Sequence, residues 1–227
     1  MDKTSEPAAK FDGYADEYGS LLEDSIRASG ESAEYFHEYK LGCLGRLGVS
    51  PGTPILDYGC GVGSLAEVLA RTFPALEGYD PSPKSLETAR RRMPGRVFHE
   101  DPSAIRDDHF GAAVLSGVLH HVAPGERAAV LATVRQKLMP GGKIVVFEHN
   151  PWNPLTRRAV EACPFDDDAI LLWPRELRRR LSQARFTNVS QDYIVFFPRA
   201  LAALRPLERH LTWLFLGAQT MTVGSRA

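Results

Sequence analysis

The stretch that decides the fold is ILDYGCGVG at residues 55–63. It starts as a short apolar strand, ends that strand at an acid, Asp57, and then places glycines at alternate positions before a helical segment begins. Glycines of this kind permit a tight turn and let a ligand approach the backbone at a helix N-terminus. Such a pattern alone is a weak signal, so its surroundings decide what it means.

The second strand-like segment, ALEGY at 75–79, is followed by another acid, Asp80. In nucleotide-binding α/β proteins an acid roughly 20 residues after the first strand, at the carboxyl end of the next one, accepts both ribose hydroxyls of the ligand. Asp80 has that spacing from Asp57 and therefore indicates an adenosine-containing ligand. The alternative is that Asp80 only caps the helix entered through Pro81.

The rest of the chain alternates short apolar segments with helical ones, which predicts a doubly wound, mostly parallel α/β sheet. The predicted strands are 54–58, 75–79, 96–99, 111–116 and 143–147, with helices at 65–72, 84–92 and 126–138. Later segments predict a helix at 174–184, a strand at 193–197, a helix near 200–211 and a last strand at 220–223, which would complete seven strands. Residues 11–47 predict one or two helices that form a packing layer or a lid.

Composition and length favour one elaborated domain. The chain has 227 residues, of which 44% are hydrophobic and 24% charged, against a prior of about 150 residues per domain. We expect a single domain, 1–227, with a helical lid at 1–50, a cofactor-binding core at 51–149, and a substrate-side insert with the C-terminal strands at 150–227.

Charge and cysteine usage exclude several function classes. The 27 basic and 28 acidic residues leave no overall field that would gather nucleic acid. The three cysteines form no CxxC pair, the N-terminus does not resemble a secretory signal, and the most apolar window, 211–218, is too short to span a bilayer. These features lead us to expect a cytoplasmic protein without a nucleic-acid partner.

At this point the sequence resembles the class I S-adenosylmethionine-dependent methyltransferases, in particular their small-molecule (type 11/12-like) group. DYGCGVG at 57–63 matches the family's D/E-x-G-x-G-x-G loop, and matches continue at Asp80, at Asp101, through VLSGVLHHV at 114–122 and LMPGGK at 138–143. Two departures stand out: Gly111 follows Phe110 where the family usually has Asp, and Arg185 precedes Phe186 where Gly is usual.

The resemblance implies a binding site for S-adenosylmethionine, whose demethylated product is S-adenosylhomocysteine. Asp57, Gly59 and Gly61 would hold the methionine portion, and Asp80 with Pro81 the ribose. Asp101 would take the adenine amino group unless it is a solvated loop acid, and Ser116 with Gly117 would close beneath the sulfonium. Tyr14 and Tyr18 would fold over the cofactor or pack in the core. Lys40 is a weaker candidate partner for the cofactor carboxylate.

Methyl transfer mainly requires alignment of nucleophile and methyl group, and a base only where the nucleophile must lose a proton. His121 and His149, at the carboxyl ends of the fourth and fifth strands, are the candidate catalytic residues, ahead of His120 and Glu148. The alternatives are a histidine packed at the start of a helix and a loop histidine bonded to backbone.

The C-terminal half offers weaker signals. Three consecutive acids at 166–168 favour a solvated loop or a helix N-terminus, and we expect no metal site. The apolar stretches 194–198 and 213–216 are interpreted as ordinary core, with an apolar acceptor pocket or a peripheral membrane contact as alternatives.

The function expected from the sequence is methyl transfer to an O, N or C nucleophile of a small, apolar or aromatic biosynthetic acceptor. The alternative keeps the fold without that reaction: a protein that binds the cofactor without turnover or catalyses a non-methyl reaction such as cyclisation. A nicotinamide-dependent oxidoreductase is disfavoured by the glycine spacing. The sequence does not indicate the oligomeric state.

Overall fold

A computed structural model describes residues 11–15 and 17–227. A seven-stranded sheet has the order β3-β2-β1-β4-β5-β7-β6; β7 runs antiparallel to both of its neighbours, and the other pairs are parallel. The strands are β1 Ile55–Tyr58, β2 Leu76–Tyr79, β3 Val97–His99, β4 Phe110–Ser116, β5 Leu138–His149, β6 Phe186–Ile194 and β7 Gln219–Arg226. The predicted doubly wound α/β class is confirmed.

Helices cover both faces of the sheet. They are α1 Tyr18–Ile26, α2 Ala33–Arg46, α3 Ser64–Ala70, α4 Pro83–Arg92, α5 Arg127–Lys137, α6 Pro154–Ala162 and α7 Pro174–Gln183, with 3₁₀ segments at Arg27–Ser29, Pro102–Ala104, Pro164–Asp166 and Arg199–His210. A helical turn at 11–14 precedes α1. The prediction of helices within 11–47 is confirmed. Residues 1–10, where the sequence argues against a secretory signal, lie outside the described part.

Alternation along the buried strands divides the core into two layers. Ile55 of β1 faces one layer, which packs on α2, α3 and α4, and Leu56 faces the other, which packs on α5 and α7. Both side chains are fully buried. This two-sided burial is what parallel strands between helical layers require, and it brings the carboxyl ends of β1, β2, β4 and β5 to one edge.

Both departures from the family pattern have a local explanation. A Cβ at Gly111 would lie 2.4 Å from Thr53 Cγ2, so the packing beneath β4 leaves no room for the usual side chain. Arg185 adopts φ 63°, the left-handed conformation that glycine provides without strain. Arg185 therefore keeps the backbone turn at a cost in backbone strain.

Three predictions about the tail are wrong in detail. The sixth strand is Phe186–Ile194 instead of 193–197, because Val195 turns to φ 61° and leaves the sheet. The following helix is a 3₁₀ segment that contains Pro206 and a kink at Leu201. Residues 213–216 are not core: Trp213 is 74% exposed and Phe215 51%.

The remaining expectations concern cysteines and membrane spans. Cys43, Cys60 and Cys163 are all buried and form no disulfide. Within 11–15 and 17–227, no helix is long and apolar enough to cross a bilayer.

Candidate active site

The loop between β1 and α3 is shaped by its glycines. Gly59 has φ +84°, and a Cβ there would lie 2.5 Å from Val118 Cγ2. Gly61 has φ +52° but opens onto free space, with no atom within 4 Å of its would-be Cβ. Gly59 therefore serves close packing within the protein, whereas Gly61 keeps the backbone accessible to a ligand.

Asp57, at the end of β1, has a carboxylate oxygen without a hydrogen-bond donor in the described part of the chain. Its side chain lines a cavity and is 1% exposed, and its Oδ2 has no hydrogen-bond partner among the described residues. Burial raises the pKa of Asp57 to about 7, although Lys40 opposes the shift. Such a carboxylate lacks a cationic hydrogen-bond donor, which the ammonium of an amino-acid ligand would supply.

Lys40 of α2 lines the same cavity and donates a hydrogen bond from Nζ to Ser116 Oγ over 2.8 Å. Burial lowers the pKa of Lys40 to about 8, against the opposing effect of Asp57. A buried acid and a half-buried base thus face one cavity, an arrangement complementary to the two charged ends of a zwitterion.

Asp80, at the end of β2, holds the glycine loop from below. Its Oδ2 accepts from Gly61 N over 2.8 Å and its Oδ1 from Ser82 N over 2.9 Å. Burial raises the pKa of Asp80 to about 6, while these two hydrogen bonds lower it. Because each carboxylate oxygen can accept a second hydrogen bond, Asp80 can also bind a pair of ligand hydroxyls.

The remaining predicted cofactor residues divide into two groups. Pro81, Ser116, Gly117 and Tyr18 line the cavity with Asp57 and Asp80. Asp101 does not: its exposed carboxylate accepts from Ser103 N over 2.7 Å and from Ser103 Oγ over 2.6 Å, capping the following 3₁₀ turn. Tyr14 also lies outside the lining and donates its hydroxyl to the Pro164 carbonyl over 3.2 Å.

The cavity has a volume of about 370 Å³ and connects the glycine loop with the ends of β4 and β5. Its apolar wall includes Phe11, Leu22, Phe36, Phe147 and Phe165. A mostly apolar concavity with a few convergent polar groups is typical of a small-molecule site.

The N-terminal elements roof this cavity. Phe11 contacts the His121 ring edge-on, with centroids 4.9 Å apart, and Tyr18 stacks on Phe165 at 4.9 Å. Asp12 ties the roof to the β2 end, since its Oδ1 accepts from Ser82 Oγ over 2.6 Å and from Lys84 N over 3.2 Å. For the described residues of 11–26, the first part of the predicted 11–47 segment, these contacts favour a lid over a packing layer.

A buried polar cluster lies at the far wall. His120 Nδ1 donates to Glu148 Oε2 over 2.6 Å, and Glu148 Oε1 accepts from Leu119 N over 2.8 Å. Asp166 Oδ1 lies 3.5 Å from His120 Nε2 and 3.2 Å from His121 Nε2. The His149 ring is 5.1 Å from that of His120. Both predicted catalytic histidines therefore border the cavity.

Neighbouring charges and burial shift the pKa values of the three histidines in different directions. Burial lowers the pKa of His120, but Glu148 and Asp166 outweigh it and raise the value to about 9. Burial lowers the pKa of His121, and it lowers that of His149 to about 4, with His120 adding to the effect. His149 is therefore a neutral imidazole at neutral pH.

The solvated-loop expectation for the acids at 166–168 is wrong for Asp166, which lies in a 3₁₀ turn, is 7% exposed and faces two histidines. Buried Arg127 places this segment: its guanidinium donates to the Val122 and Ile170 carbonyls over 3.0 and 2.7 Å, and Ile170 N donates to the His120 carbonyl. No local motif signals that pairing. The adjacent histidines 120 and 121 were the available hint, because a pair of imidazoles calls for an acidic partner from another element.

Comparison with known proteins identifies the family. Residues 32–191 match the sequence model of a methyltransferase domain. A trans-aconitate 2-methyltransferase of Methylobacterium nodulans is 33% identical over 134 residues, 54% of this chain and 50% of that protein. A carboxy-S-adenosyl-L-methionine synthase of Escherichia coli is 30% identical over 119 residues, 48% of each chain. The chain thus spans about half the length of these two relatives.

Solved structures agree on the fold. A S-adenosylmethionine-dependent methyltransferase of Thermotoga maritima superposes with a TM-score of 0.71 at 18% identity, covering 97% of this chain and 100% of that one. The magnesium protoporphyrin IX methyltransferase of Synechocystis, with bound S-adenosylmethionine, gives 0.67 at 16% identity, with 100% and 98% covered. Together with the family match over most of its length, the glycine loop and its two acids show that this chain belongs to the S-adenosylmethionine-dependent methyltransferases.

Proposed function

We propose that the protein transfers the methyl group of S-adenosylmethionine to an O, N or C nucleophile of a small molecule. One observation carries the proposal: one cavity joins Asp57, whose Oδ2 has no hydrogen-bond partner among the described residues, to the imidazoles at the ends of β4 and β5. The sulfonium supplies an activated methyl group, so the protein has to align an acceptor with it and exclude water.

The described residues fit the cofactor. Asp57 would accept the ammonium and Lys40 would face the carboxylate of the methionine portion, while Asp80 would accept the ribose hydroxyls. Gly61 leaves space for close approach, and Ser116 with Gly117 lies between these groups and the histidines. Asp101 lies outside the cavity lining and binds Ser103, so a contact with the adenine requires the cofactor to extend beyond the lining residues.

The acceptor would lie between the lid and the histidines. Phe11, Tyr18 and Phe165 make this part of the cavity aromatic, which supports an apolar or aromatic acceptor. His121 and His149 border the same space, and a neutral imidazole there can take a proton from the nucleophile. Helix α1 covers this space and would exclude water from the reacting atoms.

A second candidate function rests on one comparison. The relative from Escherichia coli is named as a carboxy-S-adenosyl-L-methionine synthase, so a chain of this family can act on the cofactor without methylating an acceptor. For this second function, the same residues would bind the cofactor, and the aromatic part of the cavity would bind a small co-substrate.

Calorimetric titration with S-adenosylmethionine, S-adenosylhomocysteine and NAD tests the cofactor assignment. We expect the two adenosyl compounds to bind and NAD not to bind. Asp80→Asn should weaken adenosyl binding by about 1–3 kcal/mol, because the ribose hydroxyls lose a charged acceptor. Unchanged affinity in the variant would remove Asp80 from the site, and binding of NAD alone would overturn the proposal.

Incubation with methyl-labelled cofactor and a panel of hydroxylated aromatic, aliphatic and highly charged acceptors then tests the reaction. Label in an apolar or aromatic product, with release of S-adenosylhomocysteine, supports methyl transfer. Transfer only to highly charged acceptors would contradict the acceptor class. A modified adenosyl compound without any methylated acceptor would favour the second candidate.

A further inference from the structure

Three potential metal-ligand atoms from two distant parts of the chain lie close together at the cavity wall. Nε2 of His120 and Nε2 of His121 lie 3.5 and 3.2 Å from Oδ1 of Asp166. The three side chains offer ligand atoms that all lie within 4.8 Å of one another. The carboxylate comes from the 3₁₀ segment Pro164–Asp166, about 45 residues beyond the histidines.

Hydrogen bonding does not account for this arrangement. Asp166 Oδ1 is buried and has no hydrogen-bond partner of acceptable geometry among the described residues; His121 Nδ1 also lacks one, although it lies 3.7 Å from Asp168 Oδ1. A buried carboxylate oxygen without a donor is unfavourable. Its charge can be balanced by a protonated imidazole at 3.2–3.5 Å or by a cation bound between the carboxylate and two neutral imidazoles.

Two of the three ligand separations match a first-row transition metal. Ligand nitrogen and oxygen atoms at about 2.0–2.2 Å from such an ion, with tetrahedral to octahedral angles, lie about 3.0–3.5 Å apart. The two distances from Asp166 Oδ1 fall at this separation. A set of two imidazoles and one carboxylate favours zinc or a similar divalent ion over magnesium or calcium, which prefer oxygen ligands.

Glu148 completes the arrangement behind His120. It accepts the Nδ1 proton over 2.6 Å and is itself fixed by Leu119 N. A carboxylate that holds the distal N–H of a histidine leaves the other ring nitrogen free to bind a metal and fixes the ring orientation. Both Asp166 and Glu148 are buried, so the site provides negative charge that a divalent cation would balance.

We propose that His120, His121 and Asp166 bind one divalent transition-metal ion of the zinc type, whose open coordination positions face the cavity. Resting on the proposed function, the inference extends to the acceptor: its nucleophile is an oxygen, which this ion would bind. Three protein ligands with open positions are the usual composition of a catalytic metal site.

The chemistry balances without a redox step. As a ligand of the ion, His121 would no longer act as a base; the ion would lower the pKa of an acceptor hydroxyl, whose proton passes to water. The oxygen lone pair then forms the new C–O bond while the methyl–sulfur bond breaks. The electron pair of that bond stays on sulfur, which becomes the neutral thioether of S-adenosylhomocysteine.

Cobalt(II) titration of the chelator-treated full chain tests the site directly. We expect one Co²⁺ per chain with visible ligand-field absorption that Zn²⁺ displaces. Removal of an outer-shell partner weakens metal binding by roughly 10–100-fold, and we expect a loss of this size in Glu148→Gln. Asp166→Asn and His121→Gln each remove a metal ligand and should weaken Co²⁺ binding by at least as much. His210→Gln, which removes an exposed imidazole in the 3₁₀ segment Arg199–His210, is the matched control.

Binding of S-adenosylhomocysteine and the thermal melting curve of each variant show that it is folded. Co²⁺ binding that is unchanged in Asp166→Asn and His121→Gln, or equally weakened in His210→Gln, would overturn the proposal. Retained methyl transfer after chelation, with no metal bound by the wild type, would overturn the metal site but not the proposed function. Stoichiometric, Asp166-dependent metal binding without any methyl transfer would leave the metal site standing and refute the function.

Discussion

At the level of single residues, Asp57 is suited to bind a ligand, but its buried charge destabilises the folded protein. Its side chain is buried next to Lys40 but keeps one oxygen without a donor. Burial raises the pKa of Asp57 from 3.8 to about 7. Between about pH 4 and 7 the folded state therefore binds more protons at this residue than the unfolded state, so its contribution to the unfolding free energy falls as pH rises.

Asp57→Asn should stabilise the cofactor-free protein at pH 8 by about 1–3 kcal/mol, because it removes a buried charge. The gain should be smaller at pH 5, where the folded wild type already carries a proton there. Denaturant unfolding at both pH values measures the two gains, and calorimetry should show weaker S-adenosylmethionine binding. Asp24→Asn, at an exposed ion pair with Arg27, is the control. Equal gains at both pH values would contradict the assignment.

Two glycines of one loop should respond differently to alanine. Gly59→Ala places a Cβ against Val118 at left-handed φ, so we expect a loss of at least about 1–2 kcal/mol in unfolding free energy from the backbone strain alone. Gly61→Ala meets open space and should lose less stability but more cofactor affinity. Thermal melting and calorimetry on both variants, with Gly95→Ala as the positive-φ control, check this. The reverse order of stabilities would refute it.

At the level of elements, contacts among the described residues tie the lid to the rest of the fold. The Asp12 carboxylate bridges the turn at 11–14 to the N-terminus of α4 through Ser82 Oγ and Lys84 N. Aromatic contacts of Phe11 and Tyr18 lie over the polar cluster and the Pro164–Asp166 segment. Because the lid contacts three separate elements, its closure would organise both the cofactor and acceptor ends of the cavity.

Asp12→Ala should loosen the lid without unfolding the sheet. We expect amide exchange in 11–26 to accelerate by up to about tenfold, in line with the loss of roughly 1 kcal/mol of hydrogen bonding. Cofactor affinity should fall by a similar factor. Hydrogen exchange followed by mass spectrometry measures the first effect. Asp24→Ala at the far end of α1 should leave both unchanged, and an unaffected exchange pattern in Asp12→Ala would show that the tie does not hold the lid.

At the level of the whole molecule, several apolar residues of the C-terminal tail are exposed instead of buried. Leu131 of α5 is fully buried between helix and sheet, whereas Trp213 and Phe215 project outward. Trp152, Trp173 and Phe215 form an exposed aromatic group, with ring centroids 4.9 and 6.2 Å from Trp152. Stability therefore depends on the sheet and its helical layers more than on the most hydrophobic stretch of the sequence.

Leu131→Ala should lower the unfolding free energy by about 2–5 kcal/mol, the usual loss for a buried leucine. Trp213→Ser should change it by less than about 0.5 kcal/mol, as expected for an exposed position. Denaturant unfolding of the two variants side by side measures the contrast. A loss of several kcal/mol in Trp213→Ser would restore the interpretation of 213–216 as core.

The sequence by itself determined the sheet and its cofactor edge. Apolar segments separated by helical ones, with glycines after the first strand and acids after the first two, are local patterns whose physical consequences do not depend on distant residues. Asp57, Gly61 and Asp80 therefore lie where the motif placed them. Asp101 was assigned from the resemblance and Tyr14 from the capacity of an amphipathic ring to line a pocket, and each is engaged by a neighbour outside the cavity lining.

Only the tertiary structure decided the composition of the far wall. Asp166 belongs to a run of acids that looks solvated in sequence, and its burial depends on Arg127, which draws the segment against the loop of His120. Glu148 and His120 pair because β4 and β5 are adjacent in the sheet. Such long-range pairings leave no periodic trace in sequence, since nothing local constrains them, and they fix which carboxylates and imidazoles meet.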